Sequence, residues 1–300
     1  MQNLISVSDL LDASIDVYQK ERSMILSISS IALLGTLLTI LSLLFFPFGS
    51  KLLQVLLQND TFNSQETLGI ILVALATTIS SLLHFWVITA LNTFIAARLK
   101  NATMTLHTTL STALKLLLPS LWILILISVF FILFCVSAYI PAVLVAKLFP
   151  NANLLNGITL IGGTLAIVVG SFRYALPISL APYALFLKQK RGLQALLYTH
   201  SLTKGRLIKT LIRFFAPKIL FTICGLIVGT LFSFIIHMAL DPFVGLNMDL
   251  YLRTTTLIDI AVTGFVTLLI QPLLLLPDLL LCRNLIETSE GMYENRRSTY

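Results

Sequence analysis

The sequence predicts an all-α, polytopic membrane protein: a helical bundle of about six transmembrane helices with amphipathic helices on its cytoplasmic side. Three observations predict it. Of 300 residues, 57% are hydrophobic and 11% are charged, against about 25% charged in ordinary soluble domains. Six apolar runs reach the length, about 20 residues of helix, that crosses a hydrocarbon layer. Sixteen of the twenty Lys and Arg residues fall in alternate connections between those runs.

Residues 1–22 are expected to form an amphipathic cytoplasmic helix. Val7, Leu10, Leu11, Ser14, Ile15 and Tyr18 share one face, and Asp9, Asp12 and Asp16 share the other. Ser6 with Asp9 makes a capping-box pattern. Four acids precede or accompany the first cations, Lys20 and Arg22, which is the reverse of a secretory leader. The following apolar run also exceeds an h-region of roughly 7–15 residues, so it is expected to stay as an anchor.

Residues 23–282 hold the spans, placed at Met24–Phe48, Leu68–Ala97, Leu116–Ala146, Leu155–Leu187, Phe214–Leu240 and Thr256–Leu281. Membrane strands would be about half as long and would alternate. Only helices or closed barrels satisfy their backbones in lipid. Lys51, Lys147 and Arg253 are the cations of the other connections. The positive-inside rule therefore puts both termini in the cytoplasm, in what is expected to be a bacterial inner (cytoplasmic) membrane. The segments after the second and fourth spans look alike: a basic step, a polar turn, then an apolar helix with Pro119 or Pro217. A two-fold repeat of about 23–146 and 155–282 would explain this. Residues 283–300 read as a polar, mobile cytoplasmic tail.

The stretch KQKRGLQALLYTHSLTKGRLIKTLIRFFAP, Lys188–Pro217, holds seven Lys and Arg residues between two nearly charge-free runs. Arg206, Lys209 and Arg213 fall within about 60° on a helix, opposite Ile208, Leu211, Ile212 and Phe215. Leu193, Leu196 and Leu197 make a second apolar stripe, and Gly205 can turn the chain between the two. A basic face beside an apolar one suits anionic headgroups and not nucleic acid, for which no binding motif occurs. Two partners are open for Arg206, Lys209 and Arg213: lipid phosphates, or the acidic side of the first helix. Fixing topology is the plain alternative.

The segment RYALPISLAPYALFLKQKRGLQALLYTHSLTKGRLIKTLIRF resembles the glycerophosphoryl diester phosphodiesterase membrane-domain-like proteins, a bacterial set of polytopic membrane proteins, many uncharacterised. The shared pattern reads Arg173, Pro177 or Pro182, Gly192, Ala195-Leu196, Thr199 and Leu202-Thr203-Lys204-Gly205-Arg206. The opening LLDASIDVYQKERSMILSISSIALL is similar to the start of that family. Two features depart from it. Lys188–Arg191 stands where a Glu commonly precedes the Gly, and Thr199 stands for a Ser. The resemblance implies an integral membrane protein. It implies no phosphodiesterase activity, because catalysis in that family belongs to an appended soluble barrel that this sequence does not contain.

Ionisable residues inside spans are the remaining candidates. Arg173 and Asp278 are expected to pair across the fourth and sixth spans. Asp259, His84, Asn92 and His237 are isolated, and each is expected to reach water or bond a neighbouring helix. Gly225 and Gly229 form a close-packing face, with self-association as the alternative; Gly162, Ala166 and Gly170 form another. Cys135, Cys224 and Cys282 lack ligand spacing and read as packing residues. No metalloprotease, serine-hydrolase or Walker motif occurs, so no catalytic, cofactor or metal residue is expected. The function this supports is non-enzymatic organisation of lipid or partner proteins at the cytoplasmic face. The alternative is a transporter with a site near Arg173 and Asp278, its spans broken at Pro141, Pro177, Pro182, Pro272 and Pro277. A lipid-modifying enzyme ranks third.

Overall fold

The computed structural model describes residues 4–46, 63–149, 152–244 and 248–297. These are 91% helical with no strand, and hold eight helices: α1 (Val7–Lys20), α2 (Arg22–Leu43), α3 (Ser64–Leu99), α4 (Leu106–Leu148), α5 (Asn153–Lys188), α6 (Leu193–Thr203), α7 (Leu207–Val244) and α8 (Met248–Arg297). Six of them, all but α1 and α6, are long and apolar enough to cross a membrane. The chain is an all-α polytopic membrane protein. The expected end of the first span at Phe48, the cation Lys51 and residues 298–300 lie outside the described residues.

Local chemistry sets the helix starts. The Asp9 N–H donates to Ser6 Oγ at 3.0 Å, capping α1. At α3, Asn63 and Glu66 form a reciprocal capping box of 2.8 and 2.7 Å. Thr105 Oγ1 accepts from the Thr108 N–H at the start of α4. In α1, Leu10 and Ser14 are fully buried while Asp9, Asp12 and Asp16 are exposed, as the two-faced pattern requires.

The prolines do not break the spans. Pro119 and Pro141 lie inside α4, Pro177 and Pro182 inside α5, Pro272 and Pro277 inside α8, and Pro217 falls within α7. Neighbouring groups in a membrane bundle re-satisfy the carbonyl that a proline frees. Residues 283–297 likewise differ from the expected mobile tail. The α8 helix runs through them, with Leu285, Ile286 and Thr288 buried. A 2.7 Å Arg283–Glu287 pair at i,i+4 supports this extension.

The chain divides into two compact units made of interleaved segments, not of successive halves. Unit 1 comprises residues 1–10, 115–216 and 278–300. Unit 2 comprises residues 11–114 and 217–277. In unit 2, α2 packs on α3, where a Cβ at Gly35 would lie 3.0 Å from Ser80 Cα. Here Arg98 also pairs with Glu21 at 3.1 Å. In unit 1, α5 packs on α6. Gly163 and Gly170 make the close approach in α5, against Ala138 and Tyr139 and against the Phe134 ring, whereas Gly162 faces open space.

Candidate functional site

Two places combine polar groups with spanning helices, one in each unit. In unit 1 the place is the basic segment and the chain ends around it. Helix α5 stops because Gln189 turns left-handed (φ 55°) and its N–H reaches back to the Leu185 carbonyl. Gly192 (φ 51°, ψ −131°) starts α6 in a conformation open to glycine, and the Trp122 indole leaves only 3.4 Å to a would-be Cβ. Gly205 (φ 78°) separates α6 from α7.

On both helices the small and hydroxyl-bearing residues turn inward together with some apolar ones, while leucines, isoleucines and charged residues share the outer surface. Ala195, Thr199, Leu202 and Thr203 are buried, whereas Leu193 and Leu197 are 61% and 64% exposed. At the start of α7, Thr210 and Phe214 are buried, while Ile208 is 74% exposed and Ile212 and Phe215 also turn outward. Thr199, Thr203 and Thr210 satisfy their hydroxyls on the carbonyls one turn back, at 2.9–3.1 Å. Burying a threonine this way costs little. Lipid is as apolar as leucine, so outward leucines lose nothing.

The three cations singled out by their spacing separate. Arg206 Nη1 donates to Thr288 Oγ1 at 3.1 Å. Arg213 Nε donates to the Ile5 carbonyl, and its Nη1 to the Lys209 carbonyl at 2.8 Å. Lys209 is exposed, as are Lys190, Arg191 and Lys204. Lys188, at the end of α5, pairs with Glu290 at 2.6 Å. The Ile5 N–H donates to Asn284 Oδ1 at 3.2 Å. Two arginines and a lysine thus tie the first residues, the end of α5 and the end of α8 together within unit 1. Tyr198 lies in the same cluster. Burial, then the nearby Glu290 and Cys282, push its phenol above the usual value.

Among the described residues no ion pair joins Arg173 to Asp278. Asp278 is 1% exposed and accepts the Tyr183 hydroxyl at 2.5 Å. Arg173 lies ten residues before Tyr183 on α5, about 15 Å along the axis, out of reach of a carboxylate held at Tyr183. Its exposed guanidinium lies 5.8 Å from the Tyr174 ring centre, and Tyr174 stacks on His200 at 6.3 Å. Cys282 is buried, Cys135 half-buried and Cys224 exposed.

Unit 2 brings together residues that looked isolated. Asp259 accepts from Ser233 Oγ at 2.6 Å and lies 3.1 Å from His237 Nε2, both contacts on Oδ1. His84 and Asp259 line two adjoining clefts, of about 440 and 590 Å³. Gly225 and Gly229 border the larger one, and a Cβ on them would meet Ile270 at 3.1 Å and Val266 at 3.6 Å. That places both glycines against α8 of the same chain. Asn92 is buried farther along α3. Among the described residues no three of His, Cys, Asp or Glu gather into a group able to hold a metal ion.

No family model, no curated protein and no solved structure matches this chain.

Proposed function

We propose that this is a multi-pass protein of a bacterial cytoplasmic membrane, with both termini cytoplasmic, that gathers anionic lipid at the inner surface without catalysing a reaction. One observation carries the reading. In α6 and the first turns of α7 the apolar side chains Leu193, Leu197, Ile208, Ile212 and Phe215 face outward, with Lys190, Arg191, Lys204 and Lys209 exposed beside them. An outward apolar face flanked by cations suits the boundary between acyl chains and phosphates. Each such cation contributes about 1 kcal/mol near an anionic surface. Arg206 and Arg213 are engaged with the protein, so the headgroup role passes to these four, of which only Lys209 belongs to the set chosen by spacing. The resemblance to the phosphodiesterase membrane-domain-like proteins agrees with a membrane role without catalysis. A transporter site shared by Arg173 and Asp278 is less favoured, because Asp278 engages Tyr183 while Arg173 lies over the Tyr174 ring, and continuous helices replace the broken spans that supported it.

The test compares the purified chain in phosphatidylcholine nanodiscs doped with phosphatidylglycerol. Native mass spectrometry should show phosphatidylglycerol retained by the unaltered protein and lost from the Lys190→Glu, Arg191→Glu, Lys204→Glu, Lys209→Glu variant. Equal retention by both would reject the reading.

A further inference from the structure

The polar groups of unit 2 are ordered along two helices. On α8, Asp259, Thr263, Thr267 and Gln271 recur every fourth residue, which keeps them on one side over about 18 Å. On α7, Thr222, Thr230, Ser233 and His237 also recur at helical spacing. The larger cleft takes Thr222, Thr230, Ser233 and the whole α8 row into its lining. The smaller cleft shares Asp259, Thr263, Thr267 and His84 with it.

Charge and polarity in this groove are lopsided. Among the described residues its titratable lining is Asp259 and His84, with no Lys or Arg. The Asp259 side chain is 56% exposed. Ser233 and His237 both engage Oδ1, and among the described residues Oδ2 accepts no hydrogen bond. Away from Asp259 the larger cleft adds apolar lining, Leu226, Val266, Ile270 and Leu274, beside Thr222 and Gln271. A volume of about 590 Å³ lies within the range of small-molecule sites.

We propose that this groove binds an amphiphile with a primary ammonium head, the ammonium on Asp259 Oδ2 and the alkyl chain along Leu226, Val266 and Ile270. The carboxylate repels anionic heads. Ser233 and His237 hold it in place from the other oxygen. The hydroxyls of Thr263 and Thr230 offer acceptors to the remaining ammonium protons. The ammonium could belong to a free long-chain amine or to an ethanolamine phospholipid, and the two sources separate experimentally. The proposal stands independently of the α6–α7 reading, which rests on other residues.

The test titrates dodecylammonium and dodecanol into the full chain in phosphatidylcholine nanodiscs, against empty nanodiscs. The ammonium should bind about tenfold tighter than the alcohol, as a charge-assisted hydrogen bond requires. Asp259→Asn should erase that preference and Asp259→Glu should keep it. Gly229→Leu should weaken both ligands by filling the groove. Equal binding of the two ligands, or a preference that survives Asp259→Asn, overturns the proposal. If Asp259→Asn does not fold, dodecyl sulfate decides on the unaltered protein: binding as tight as dodecylammonium overturns it. Native mass spectrometry in phosphatidylethanolamine–phosphatidylglycerol nanodiscs then assigns the source. Selective retention of the ethanolamine lipid marks a phospholipid, dodecylammonium binding without it marks a free amine, and binding of neither ligand overturns the proposal.

Discussion

Two aspartates of helix α8, Asp278 and Asp259, stand in opposite circumstances. Asp278, in unit 1, is 1% exposed, with Leu279 and Cys282 of the same turn also buried, and accepts the Tyr183 hydroxyl. Asp259, in unit 2, is 56% exposed, lines two clefts and receives its donors on one oxygen. The same residue type on the same helix is a packing element in one place and an open functional group in the other. The helix supplies only a position. What surrounds the carboxylate decides its role.

Three substitutions sharpen or break this comparison. The largest effect is expected from Asp278→Ala, which leaves a buried Tyr183 hydroxyl without its acceptor. A loss of about 3 kcal/mol should appear in detergent-induced unfolding. A loss below about 0.5 kcal/mol would put Asp278 in the same class as Asp259. Tyr183→Phe removes the donor and keeps the ring. It should cost about 1.5 kcal/mol in the same assay, and a cost equal to that of Asp278→Ala would show that the two act as one unit. The smallest effect is expected from Asp259→Ala, within about 0.5 kcal/mol of the unaltered protein, because the solvated or ligand-facing carboxylate holds no core together. A loss matching that of Asp278→Ala would make Asp259 structural and dissolve the contrast.

The spans were legible because composition alone identifies them: runs such as Leu116–Ala146 leave no soluble alternative. The positions of polar side chains relative to one another were not. Periodicity showed that Arg206, Lys209 and Arg213 share a face, and so do Leu193 and Leu197, but a period carries no sign. Here Leu193 and Leu197 turn out while Thr199 and Thr203 turn in beside Ala195 and Leu202, so hydrophobicity alone does not sort the two sides. Arg173 and Asp278 were paired by apparent depth, yet the residue of α5 that meets Asp278 is Tyr183, ten positions further along the helix. Ser233, His237 and Asp259 lie on different helices, and no spacing within either helix reports their meeting. The helical continuation to Arg297 did have a signal, in Arg283 with Glu287 at i,i+4 and in the Leu281, Leu285, Thr288 spacing.

Both backbone polar groups of Ile5 are engaged: its N–H donates to Asn284 Oδ1 and its carbonyl accepts from Arg213. The first of these bonds joins residues 279 positions apart. During synthesis the amide of Ile5 therefore waits for Asn284, which lies on the last spanning helix to be made. A flexible chain would find such a distant partner slowly and at an entropic cost that grows with the loop. Here the inserted helices have already removed most of that freedom, so the bond works as a latch on finished assembly and contributes little to guiding it.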